Sequence, residues 1–126
     1  MDNEDPAIAA IREVREETGL EIELICESPF SHPKIRAIPR PFAIIEGEVT
    51  DRKIGVHLHV DSVYVARPLT ATVTLNYEAT GYRWVPVAEV ASLPVPAELP
   101  ALIAAAARYA GDLQRVTARP GSSAVL

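Results

Sequence analysis

One cysteine, one methionine, one tryptophan and two phenylalanines in 126 residues exclude several classes of protein. The single thiol, Cys26, can neither close an internal disulfide nor supply a multi-cysteine zinc site; it fits a reducing compartment and reads as a small buried apolar residue. No apolar run approaches the roughly 20 residues that cross a bilayer, so a membrane span is excluded. The opening MDNEDPAI lacks the basic patch and apolar stretch of a secretory signal, and a cytoplasmic protein is expected. Basic side chains are the minority, 12 Lys and Arg against 17 Asp and Glu. A formal net charge of -5 argues against a nucleic-acid coat, because phosphate backbones are held mainly by Lys and Arg. Neither G-x-S-x-G nor G-x4-G-K-[ST] occurs, which removes a nucleophile elbow and a P-loop. The remainder, 48% hydrophobic and 23% charged, is enough for one globular domain with a single core.

The chain divides into helix, sheet and helix. Asp5 can cap, Pro6 suits a first turn and Gly19 supplies a stop, which predicts a helix over residues 6–18. At 100° per residue, Ala7, Ile8, Ile11, Val14 and Thr18 share one side, and Glu13, Glu16 and Glu17 gather opposite. EIELIC at 21–26 alternates as a strand should. A proline-punctuated loop follows, carrying a small basic cluster of Lys34, Arg36 and Arg40 that could meet phosphates. Residues 42–50 and 56–66 then read as an antiparallel hairpin around the polar turn DRKIG. Residues 70–76 form a third β-rich run and 82–87 a short fourth. From about 96 to 113, Leu99, Leu102, Ile103, Ala106 and Tyr109 recur at helical spacing and predict a terminal amphipathic helix. We expect one domain over 1–115 and a flexible tail over 116–126.

Glutamates three and four apart destabilise an isolated helix by a few tenths of a kcal/mol. A bound cation removes that conflict: hard divalent ions such as Mg²⁺ take oxygen ligands, with waters and substrate phosphates completing the shell. An acidic site loaded with metal can therefore hold a polyphosphate.

The run Arg12-Glu13-Val14-Arg15-Glu16-Glu17-Thr18-Gly19-Leu20 resembles the core of the Nudix box, G-x5-E-x7-R-E-U-x-E-E-x-G-U, where U is a bulky aliphatic residue. Every specified position from the arginine onward is matched. Glu4 supplies the upstream glutamate, with seven residues between it and Arg12. The first glycine would fall six residues before Glu4, ahead of Met1, so the sequence begins inside the motif. The strands that ordinarily precede the box have no counterpart, and a start placed too late, or a fragment, is expected.

The resemblance implies an α/β (α+β) fold, a mixed β-sheet sandwiched between helices and lacking those N-terminal strands. It implies metal-dependent attack of activated water on a pyrophosphate bond that joins a nucleoside diphosphate to another group, with Mg²⁺ or Mn²⁺ as cofactor. By the same resemblance Glu16 and Glu17 ligate metal, Glu13 is a ligand or the base acting on water, Arg12 orients Glu13 by an ion pair, and Glu4 is an auxiliary ligand. Glu78, in a loop six residues before Trp84, is implied as a mobile ligand or general base. The partner is then a nucleotide-type small molecule, and a homodimer is favoured by analogy and by the need to cover apolar sheet.

Two other readings stand beside this one. His57, His59 and Asp61 alternate along one strand and project to one face, as two imidazoles presented to zinc or iron in a small β domain would. A Nudix-like module that binds a nucleotide without hydrolysing it is the second. Phe30, Phe42, Tyr64, Tyr77 and Tyr82 are the aromatic side chains available as a shelf for a base.

Overall fold

A computed structural model of the chain describes residues 4–27, 30–76, 81–117 and 124–125. Helix α1 spans Pro6–Thr18, as its punctuation requires: the Asp5 carboxylate accepts from the Ile8 N–H at 2.9 Å, and Gly19 closes the helix at φ 74° with its own N–H on the Arg15 carbonyl. Strand β1, Ile22–Ile25, pairs antiparallel with β4, Val65–Pro68, through the rungs Ile22↔Pro68, Glu23↔Arg67, Leu24↔Ala66 and Ile25↔Val65.

That ladder lies between two helices. Side chains alternate across a strand, so Ile22, Leu24 and Ala66 face one way and Ile25 and Val65 the other. Leu20, Ile22 and Ala66 pack with Ile11, Val14 and Leu24, which is the α1 side. Ile25 and Val65 pack with Ala106 and Ala110 of α2, Leu99–Thr117, with Phe42, Tyr109 and Leu113 around them. Both alanines are at most 1% exposed, and their small side chains let α2 approach the sheet closely. The expected sheet between helices is thus present, and every ladder among the described residues is antiparallel.

The hairpin also forms, as β2, Ala43–Asp51, and β3, Gly55–Val63, in a separate two-stranded ribbon. Asp51 holds its turn by accepting from the N–H groups of Lys53 and Ile54. The sequence places one strand over 56–66, but the chain changes partners at Tyr64. Val63, Tyr64, Val65 and Ala66 are buried in succession, because here the strand leaves the ribbon and enters the space between the helices.

Three other expectations are corrected. Residues 70–76 are not a strand: the Thr74 and Asn76 N–H groups donate to the Thr18 and Glu17 carbonyls, the open end of α1, instead of to a neighbouring strand. Residues 82–86 are irregular and lead into a 3₁₀ helix, Val87–Ser92. Ile8, assigned to the core face of α1, is 44% exposed because that face is centred on Ala7, Ile11 and Val14. Near the C-terminus, α2 continues to Thr117, and β5, Ala124–Val125, pairs antiparallel with β4.

Candidate functional site

The acidic side of α1 is organised around Arg12. Its guanidinium makes a two-pronged contact with Glu4, Nε to Oε2 at 2.8 Å and Nη2 to Oε1 at 2.9 Å. Nη1 reaches both oxygens of Glu16, one helical turn on, at 3.1 Å. Glu13 stands at 3.9 Å from Nη2. The hydrogen bond from Arg12 holds the Glu4 carboxyl below its ordinary range, and Glu4, ahead of Glu16, raises the guanidinium above its own.

The structure thus brings Glu4, Arg12 and Glu16 into direct contact, with Glu13 at the margin. The expected Arg12–Glu13 ion pair is the longest of the three contacts, because Glu4 and Glu16 approach the two ends of the guanidinium fork. Glu17 is exposed and makes no side-chain hydrogen bond or ion pair among the described residues. Glu78 lies outside the described residues, as does Tyr77. No three His, Cys, Asp or Glu side chains among the described residues converge on a point where an ion could sit.

The donor chemistry suits a hard divalent ion nonetheless. Glu13, Glu16 and Glu17 occupy adjacent turns, all three exposed, and offer only carboxylate oxygens. The Glu17 oxygens have no competing partner among the described residues, whereas Glu16 would exchange Arg12 for the ion.

Sequence reasoning missed the contacts that fix this face in the fold. Arg15 grips Glu21 with Nε to Oε1 at 2.6 Å and Nη2 to Oε2 at 2.8 Å, tying α1 to the start of β1 and lowering the Glu21 carboxyl. Both residues sit at unspecified positions, so only the approach of helix end and strand start could have revealed the pair. A Cβ on Gly19 would stand 3.3 Å from Thr74 Cβ, so this glycine serves close approach as well as its left-handed turn. The basic cluster is largely committed elsewhere: Arg36 pairs with Asp5 and Arg40 with Glu27. Asp5 is consequently held below the ordinary carboxylate range, first by the Ile8 N–H and then by Arg36.

Among the described residues, the histidine strand does not build a metal centre. His57 and His59 stack with centroids 6.3 Å apart, and His59 Nε2 lies 3.4 Å from Asp61. His57 Nδ1 is 3.2 Å from the Gly55 carbonyl, and no third ligand joins them among the described residues. Of the aromatic side chains, Phe42 packs on Tyr109 and Tyr64 is buried, whereas Phe30, Tyr82 and Trp84 are exposed.

This helix, glycine stop and arginine-centred carboxylate set correspond to one family. A family model described as NUDIX domain matches residues 1–106, and the chain belongs to that family. No curated protein matches it. No helix among the described residues is long and apolar enough to cross a membrane.

Proposed function

We propose that the chain is a metal-dependent pyrophosphohydrolase acting on a nucleoside diphosphate linked to another moiety. The observation that carries this reading is the assembly of Glu4 and Glu16 on Arg12, three motif residues spread over 13 positions and joined by four hydrogen bonds. Family membership supplies the reaction class.

Glu13, Glu16 and Glu17, with Glu4 as auxiliary, would hold Mg²⁺ or Mn²⁺. When bound, the ion neutralises phosphate oxygens and acidifies water. The rest falls to the chain's own groups. Arg12 holds Glu4 and Glu16 in place, and its hydrogen bond keeps the Glu4 carboxyl below its ordinary range. Glu13, the carboxylate that Arg12 grips least, is free to accept a proton from water. Glu78 is the second proton acceptor in this reading. The Asn76 N–H donates to the Glu17 carbonyl and so holds residue 76, two positions before Glu78, at the end of α1.

The test is product release from nucleoside triphosphates, ADP-ribose and dinucleoside polyphosphates with Mg²⁺ or Mn²⁺, using the chain and Glu16→Gln side by side. Turnover that falls at least about 100-fold in the variant, with an unchanged circular dichroism spectrum, supports the assignment. Equal turnover in both chains overturns the metal role of Glu16. Binding of product analogues without any turnover replaces the hydrolase with a nucleotide-binding module.

A further inference from the structure

Glu4 stands ahead of α1, so its approach to Arg12 depends on what fixes the chain at the helix start. Its neighbour Asp5 is held in three ways. The Asp5 carbonyl accepts from the Ala9 N–H at 3.0 Å, Oδ1 accepts from the Ile8 N–H at 2.9 Å, and Oδ2 accepts from Nη2 of Arg36. The first two contacts belong to any capped helix. The third joins residues 31 positions apart and ties the helix start to the proline-punctuated loop after β1.

This third contact has a specific task. A carboxylate turns readily about its last torsion, and one cap hydrogen bond leaves the other oxygen free to move. Arg36 takes that oxygen and fixes the plane. The Asp5 side chain is 10% exposed and that of Arg36 59%, so the pair is set with its carboxylate inward. Arg12 lies seven residues past Asp5, about 10 Å along the helix axis. Glu4 and Arg12 therefore meet at the reach of two long side chains, and a small rotation at residue 5 parts them. Charge works to the same end. The Glu4 carboxyl is held low first by the Arg12 hydrogen bond, against the neighbouring Asp5 charge, and Arg36 offsets that charge.

Once Glu16 exchanges Arg12 for the ion, Glu4 must retain the guanidinium, or a cation stands uncompensated beside a dication. We propose that Arg36 is a positioning residue of this site, acting through Asp5 to fix the segment that carries Glu4 and thereby the two-pronged grip of Glu4 on Arg12. This role rests on the reading of Glu16 as a metal ligand. Arg36 itself touches neither ion nor substrate. The loop after β1 thus belongs to the frame of the site, although neither Asp5 nor Arg36 is a specified residue of the motif.

Two readouts test it, one of them in the metal-free chain. In ¹⁵N-labelled protein, hydrogen exchange of the Arg12 Nε–H, which donates to Glu4, should quicken about threefold or more in Arg36→Met. Mn²⁺ binding, followed by the electron paramagnetic resonance of the free ion, should weaken about tenfold in the same variant. Arg36→Lys still places a cation on the single oxygen that Arg36 contacts, and it regains most of both losses. Asp5→Asn keeps the helix cap but removes the charge that holds Arg36; it should match Arg36→Met, and the double variant should be no worse than either single one. In turnover, kcat falls while KM stays within about twofold. An Arg12 exchange rate unchanged in Arg36→Met, additive losses in the double variant, or a raised KM at constant kcat, which makes Arg36 a substrate contact, overturns the proposal. A wild-type chain that binds no Mn²⁺, or Glu16→Gln that binds it as tightly as the wild type, overturns the ligand reading and with it the metal role, while the Arg12 exchange still decides whether Arg36 holds Glu4.

Discussion

β1 and β4 form a ladder of four rungs whose Ile22, Ile25, Val65 and Ala66 are buried between two helices. β2 and β3 form a ladder of nine rungs, equally rich in branched side chains, whose residues stand mostly in solvent. Strand-forming composition is shared; helical cover is not. The short ladder meets α1 on one face and the small Ala106 and Ala110 of α2 on the other. A β-rich sequence thus reports that strands form, while burial depends on which surfaces a helix can reach.

The sharpest way to break this contrast is one charge placed in each region. Ala106→Asp puts a carboxylate where no side chain has solvent, which costs several kcal/mol and leaves the chain largely unfolded by circular dichroism. Ser62→Asp in the ribbon should move stability by no more than about 0.5 kcal/mol. Next comes a pair of truncations read by urea unfolding. Val65→Ala should lose about 2 kcal/mol, and Val60→Ala should stay near the wild type at low concentration.

Two glycines sharpen the comparison because the same change has opposite signs. Gly19→Ala forces a Cβ into a left-handed turn against Thr74 and should cost about 1–2 kcal/mol. Gly47→Ala meets nothing within 4 Å in an extended strand and should gain about 0.5 kcal/mol or more. Thermal melts of the two variants check both signs.

The smallest effect is on pH. Glu4, Asp5 and Glu21 are all held below their ordinary values of 4.5, 3.8 and 4.5 by partners present only in the folded chain. A lowered folded value contributes stability above the unfolded value, and that stability is lost as pH falls through the folded one. The melting temperature should therefore decline as pH drops below about 4.5, and Asp5→Asn should flatten part of that decline. All three carboxylates lie at the solvent surface, which keeps the change modest.

The limits of α1, the glycine stop and the hairpin were legible because each is encoded locally, in caps, turns and alternation, whereas the sheet between helices followed from the resemblance to the Nudix family. The broken strand at Tyr64 was not, since nothing in the run from Val56 to Ala66 marks a change of partner. Nor was the fate of residues 70–76, whose backbone donors are drawn by the carbonyls of Glu17 and Thr18 across the fold. The motif named Glu4, Arg12, Glu13, Glu16 and Glu17 together. Which carboxylate takes the arginine depends on reach: Glu4 arrives from the chain ahead of the helix, and Glu16 lies one turn along it, whereas Glu13, next in sequence, comes only to 3.9 Å.

The grip of Arg12 on Glu4 and Glu16 has a further consequence for the life of the chain. Small zinc domains collapse without their ion because the ion alone reconciles their ligands. Here an internal cation acts as a permanent counterweight, so the acidic helix can form during synthesis whatever the local supply of divalent ions. On the proposed function, a chelator should therefore stop turnover without lowering the melting temperature.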